Sequence, residues 1–233
     1  MALQSSYPGM TLLHKFGYNA DVDAAEDIWD GGGDYPWPAA AAATTVVSSA
    51  AADAAAGTGA RTVKIIGLDA NYLEVSETAT LDGVTPVALS TAFLRVHRCQ
   101  VLTAGSGGVN AGDIQIKHSS TVIAQISTGY GQTLMAVYTV PADFEQAGLI
   151  SWYVSVGKTL SVVATTALLM RAPGGAWQTK ELIEVSNNGD FQYHFDVWPD
   201  VAPKTDLRVR VVAISAQNTK VAAGFDIAQY NRN

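Results

Sequence analysis

The sequence holds a single cysteine, Cys99, so it can form no intrachain disulfide and cannot build a cysteine-rich metal site. Cys99 lies in an apolar alternating run and reads as a small buried hydrophobe. Charge is also scarce, at 15% of the residues against roughly 25% in ordinary soluble domains. A surface poor in charge favours burial against neighbours, which predicts an oligomer or a larger assembly; a homo-oligomeric trimer or dimer is the expectation that goes with the virion role given below. Basic side chains number 14 against 21 acidic ones, and the net charge is −7. They are scattered; the nearest to a cluster is "RVHRC", with Arg95, His97 and Cys99 on one strand face and Arg98 on the other. Nucleic acid is therefore not an expected partner. No apolar run approaches the roughly 20 residues of a membrane span, so a membrane is not expected either. The opening "MALQSSYPGM" has neither the basic nor the apolar segment of a signal peptide, which predicts no ordinary secretion.

Catalytic patterns are missing too. The four histidines, His14, His97, His118 and His194, show no helical metal spacing. His194 has Asp196 two residues on, a shared strand face that could bind a metal or begin a dyad but reads first as a solvated face. There is no G-x-S-x-G elbow. "GSGGVNAG" lacks the Lys-Ser/Thr end of a phosphate loop and the helix that should follow, so it reads as a hairpin loop. "DVDAAEDIWD" lacks the glycine and final glutamate of a calcium loop. The expectation is no enzyme, no metal and no cofactor.

What is present is alternation. From Arg61 onward, runs such as "RTVKIIGL", "AFLRVHRCQVL", "TVIAQIS" and "DLRVRVVAIS" alternate with Gly, Asn, Asp and Pro clusters that close hairpins. Such short strands, with at most one helical turn at "ADFEQAGL", predict an all-β, antiparallel sandwich or jelly-roll-like body over residues 61–233. "WYVSVGKTLSVVATTALLMRA" reads as a hairpin whose second strand is apolar on both faces. Residues 1–60 differ. "EDIWDGGGDYPWP" is rich in turn-formers and aromatics, and the tract from Ala39 to Ala60 mixes alanine with β-branched residues. This predicts an extended N-terminal arm and an Ala/Ser-rich spacer.

The string "HKFGYNADVDAAEDIWDGGGDYPWP", with "GLDANYLEVSETATLDG", "FLRVHRCQVLTAGSGGVNAGDI" and "GYGQTLMAVYTVPA", resembles a family of structural proteins of tailed bacteriophages. Members share an HKFG-type arm, a W-[DN]-G-G-G-x-Y-x-W-P segment, a GLDANY-type strand and a GYGQ-type segment. The resemblance runs over residues 14 to 160 and departs at "PADFEQAG", where a glycine-lysine turn is more usual. It implies a virion protein made in the host cytoplasm, a decoration or cement protein on the outer head surface that stabilises the capsid through its arm. The implied partner is the major capsid protein or another virion protein. The expected anchors are Phe16, Tyr18, Trp29, Tyr35 and Trp37, with Gly31, Gly32 and Gly33 letting the backbone approach closely. A tail-associated or host-surface protein is the other reading, with glycan stacking on Tyr130, Trp152, Tyr153, Trp177, Tyr193 or Trp198.

Overall fold

A computed structural model describes residues 3–4, 9–157 and 161–231. Among the described residues there is no helix, and eighteen strands follow one another. The first seven are β1 (Leu3–Gln4), β2 (Met10–Val22), β3 (Glu26–Asp27), β4 (Thr44–Ser48), β5 (Ala60–Leu68), β6 (Glu74–Thr80) and β7 (Val87–Ala88). Then come β8 (Arg95–Ala104), β9 (Ile114–His118), β10 (Thr121–Ile126), β11 (Val137–Thr139), β12 (Phe144–Gly157) and β13 (Val163–Arg171). The last are β14 (Gln178–Ser186), β15 (Asp190–His194), β16 (Asp200–Val201), β17 (Asp206–Ile214) and β18 (Thr219–Asn231). Every pairing is antiparallel.

The strands sort into two compact units. Residues 1–34 with 135–233 form one, and residues 35–134 form the other, inserted in the first. The discontinuous unit has a six-stranded sheet ordered β1-β2-β18-β12-β15, with β16 also on β12. Its second sheet has five strands, β11-β17-β13-β14, with β3 on β17. Both sheets send side chains into one core, including Trp152, Phe225 and Ile227 from the first and Leu168, Leu207 and Val209 from the second. The inserted unit has a four-stranded sheet, β10-β9-β4-β7, and a three-stranded one, β6-β5-β8. Val46, Ile65, Phe93, Cys99, Ile116 and Ile126 are fully buried there.

The all-β class and the antiparallel pairing agree with the alternation, but the division of the chain does not. Four sheets in two units replace a single body over 61–233, and the boundaries fall at 34/35 and 134/135. The expected arm is built into the discontinuous unit: β2 is an interior strand that pairs with β18 along nearly its whole length. The expected spacer is folded as well. Thr44, Val46 and Ser48 point inward from β4, and Asp53 is fully buried. Its carboxylate accepts four hydrogen bonds, from Ser48 Oγ (2.6 Å), Ala60 N (2.7 Å), Ala111 N (2.8 Å) and Gly112 N (3.0 Å). One acidic side chain thus ties the alanine tract to β5 and to the glycine loop. Gly59 has no room for a side chain, since a Cβ would stand 2.1 Å from Asp53 Oδ1.

"ADFEQAGL" is not helical; it opens β12. The expected hairpin of β12 with β13 is not one either, because the two strands belong to different sheets. Residues 166–170 of β13 are buried on both faces, as its unbroken apolar run requires.

Candidate binding faces

The triple-glycine segment closes on its own chain. Gly32 N–H donates to Trp29 O at 3.2 Å, and the Trp29 indole N–H donates to Gly33 O at 3.0 Å. Glu26 accepts from Gly33 N–H at 2.6 Å with one carboxylate oxygen and from Asp23 N–H at 3.2 Å with the other. The Trp29 ring folds back so closely over Gly31 that a Cβ there would lie 2.3 Å from it. Gly32 and Gly33 take φ of 68° and 66°, the left-handed region open to glycine at little cost. Trp29 is 3% exposed, its ring folded onto its own turn.

Beneath this turn, Asp27 is fully buried and meets Arg208 Nη1 at 3.0 Å and Arg210 Nη1 at 3.5 Å. Arg210 also bonds Asp34 at 2.5 Å and the Ala25 carbonyl at 3.1 Å. Burial pulls the Arg208 guanidinium below its ordinary range, while Asp27 pulls the other way. Arg208 and Arg171 lie 4.0 Å and 4.4 Å from the centroid of Trp177, whose ring is thereby committed to guanidinium contacts. Arg208 and Arg210, both partly exposed, thus hold residues 25–34 against β17.

Phe16 and Tyr18 have a different fate. On β2 they alternate with buried Lys15, Gly17 and Asn19, which places both, partly exposed, on the outer face of the six-stranded sheet. Beside them His14, Asp226, Ser151 and His194 stand in register across β2, β18, β12 and β15. His14 Nδ1 lies 2.6 Å from Asp226 Oδ1, and Ser151 Oγ donates to Asp226 Oδ2 at 2.5 Å. The His14 ring stacks on Phe16 at 5.4 Å and on Tyr153 at 6.1 Å. This row is not a nucleophile's triad, because the serine donates to the carboxylate and no imidazole receives its proton. The expected His194–Asp196 pair does not share a strand either, since β15 ends at His194.

Asp226 titrates below the ordinary carboxylate value of 3.8, held there first by the His14 hydrogen bond, against the opposing effect of partial burial. A depressed folded value gives stability that is present above the ordinary value and lost as pH falls through the folded one. Asp226→Asn should thus flatten the acid side of the stability profile, with a small effect because both partners are partly solvated. Urea midpoints compared between neutral and strongly acidic pH check this. An unchanged acid slope in the variant would contradict it.

In the inserted unit, Tyr35 is 3% exposed and packs edge-on against Trp37 at 4.9 Å. Arg95, itself buried, sits 5.5 Å from the Trp37 ring centroid and donates to the Pro38 carbonyl. Trp37 has φ 46°, unusual for so large a residue. Arg95, His97 and Cys99 are all buried, but a bulge at His97 breaks the expected shared face: Cys99 pairs with Ile65 and Arg95 with Leu68, on opposite faces of β5, while burial pulls the Arg98 guanidinium below its ordinary range. The loop "GSGGVNAG" holds itself together: Asn110 donates to Gly112 O and Ser127 O and accepts from Gly131 N–H. Its backbone N–H groups at 111 and 112 already serve Asp53, which leaves them unavailable to a phosphate.

Among the described residues, no group of three or more His, Cys, Asp or Glu is placed to hold a metal ion. Among them too, no helix is long and apolar enough to cross a membrane. Of the six aromatics considered for sugar, Trp152 is in the core at 1% exposed, whereas Tyr130, Tyr193 and Trp198 are 49%, 41% and 42% exposed. Of the eight expected anchors, only Phe16 and Tyr18 stand on an outer sheet face. Trp29 and Tyr35 are buried, Gly31, Gly32 and Gly33 form the turn, and Trp37 is partly exposed beside Tyr35.

No family model matches the chain, and no curated protein does. Similar solved structures include the infectious bursal disease virus VP2 subviral particle, with 10% identity over 98% of this chain and 74% of that one, at a TM-score of 0.26. PBSX exported protein XepA is 8% identical over 93% of this chain and 84% of its own, at 0.21. The T13 infectious bursal disease virus particle is 11% identical over 95% and 69%, at 0.24. At such scores these likenesses carry no argument about what the chain does.

Proposed function

We propose that the chain is a structural protein of a tailed-phage particle, a head decoration or cement protein that acts by binding and not by chemistry. The motif resemblance over residues 14–160 carries this reading. The structure is compatible with it in one respect: the residues of the strongest motif serve to fold the body. Within residues 26–34 that motif closes its own turn through Glu26, Trp29 and Gly33. On this reading the sandwich-like body corresponds to the discontinuous unit, whose two sheets share one core. Contact with the shell then falls to exposed faces, among them the outer sheet face bearing Phe16 and Tyr18, rather than to a detachable arm. Repetition at symmetry-related sites converts weak single contacts into firm attachment.

Quantitative mass spectrometry of particles made by the encoding phage tests the proposal. Decoration predicts on the order of hundreds of copies per particle, set by shell symmetry. Its absence from purified particles would sink the reading. About a dozen copies or fewer would favour a tail or host-surface role, for which exposed Tyr130, Tyr193 and Trp198 are the available sugar platforms.

A further inference from the structure

Strands β14 and β15 follow each other through a tight turn at Asn187 and Asn188 (φ 43° and 53°), closed by Gly189 N–H on Ser186 O at 2.9 Å. Among the described residues each is the last strand of its sheet: β14 pairs only with β13, and β15 only with β12. Two open edges thus leave the same turn. They are well exposed and not purely polar. Leu182 on β14 is 58% exposed, Tyr193 on β15 is 41% exposed, and Val197 just beyond is 85% exposed. Edges of this kind invite pairing with another chain unless charge prevents it. Here the charge is one-sided. From Gln178 to Asp200 there are five acidic residues, Glu181, Glu184, Asp190, Asp196 and Asp200, and one lysine, Lys180.

This combination selects its occupant. Two copies of the margin would bring acid against acid, which disfavours pairing between sister chains. A basic strand would meet complementary charge and an apolar contact at once. We propose that the β14–β15 margin docks an extended, lysine- or arginine-rich segment of a partner protein, which adds as a strand along β14. Backbone hydrogen bonds along the edge supply affinity, and Glu181, Glu184 and Asp190 select the cations. The inference deepens the binding reading above by naming the kind of partner, and rests on that reading only for the partner's place in a particle.

The full chain, titrated with a synthetic peptide alternating lysine with valine and matched in length to β14, provides the test. Amide shifts should saturate and concentrate at residues 178–186 and 190–194. Raising salt should weaken binding, because the selecting charges are exposed. Glu184→Lys and Leu182→Asp, both at exposed positions, should each reduce affinity about tenfold or more without moving the unfolding midpoint. Several results overturn the proposal: no saturable shifts, shifts centred on another edge, or equal binding of a glutamate-valine peptide. Shifts at Tyr193 and Trp198 caused by oligosaccharides, with none from the basic peptide, would replace it with a sugar site. Particle copy number is unaffected by these results, so the two readings fail separately.

Discussion

Deleting residues 1–34 leaves the discontinuous unit unfolded. The loss removes β1, β2 and β3 and strips β18 of its partner from Tyr230 to Thr219. It also removes Val22, Ile28 and Trp29 from the interior, each 3% exposed or less. Buried apolar side chains of that size are worth about 2–4 kcal/mol apiece when truncated. Asp27 goes with them, and breaking a buried ion pair costs about 3–5 kcal/mol because Arg208 is left uncompensated. Even discounted for overlap, the sum rivals the 5–15 kcal/mol stability of an ordinary domain. Near-ultraviolet circular dichroism of the deletion should lack the signal of packed aromatics. A truncated protein that kept that signal and its cooperative unfolding would show the segment to be a dispensable arm.

Asp53→Ala should have the second largest effect, confined to residues 35–134. The substitution takes the acceptor from three backbone N–H groups at Ala60, Ala111 and Gly112, and from the Ser48 hydroxyl. A buried donor left unpaired costs about 1–3 kcal/mol, and no water-exposed route exists around a fully buried side chain. A loss of about 4 kcal/mol or more is expected. Asp53→Asn should recover only part of it, because its amide would present hydrogens to groups that already donate. Hydrogen exchange separates the outcomes: peptides covering β4 and β5 should lose protection while β12 and β18 keep theirs. Equal protection in β4 before and after the change would rule out the carboxylate as the tie.

These two sites also show where sequence reasoning succeeded and where it could not. From Arg61 onward the strands were legible because one face is dry and the other wet. The run "RTVKIIGL" became β5 and "DLRVRVVAIS" became β17, with their inward residues at the positions the alternation marks. The N-terminal strand was illegible for a physical reason. Its inward positions are Lys15, Gly17 and Asn19, so the polar-apolar code is scrambled on the buried side. Gly17 is needed there because the backbone of Ile28 and Ala136 comes within 2.3–2.4 Å of where its Cβ would stand. The turn at "WDGGGDYPWP" was recognisable as a turn, but its partners Arg208 and Arg210 lie far along the chain. Asp53 likewise gives no local signal. Its four donors come from positions 48, 60, 111 and 112, and only folding brings them together. The burial of Trp29 was illegible on the same ground: a tryptophan in a glycine-rich segment looks exposed until its own chain covers it.

Hydrogen exchange over residues 10–37 of the intact protein tests most directly whether the aromatic segment belongs to the body. Amides of β2 should exchange as slowly as those of β18 opposite them, and the Gly33 amide, held by buried Glu26, should also be protected. Exchange of residues 10–37 at the rate of an unstructured chain, beside a protected β18, would contradict this and return the segment to the role of a free arm.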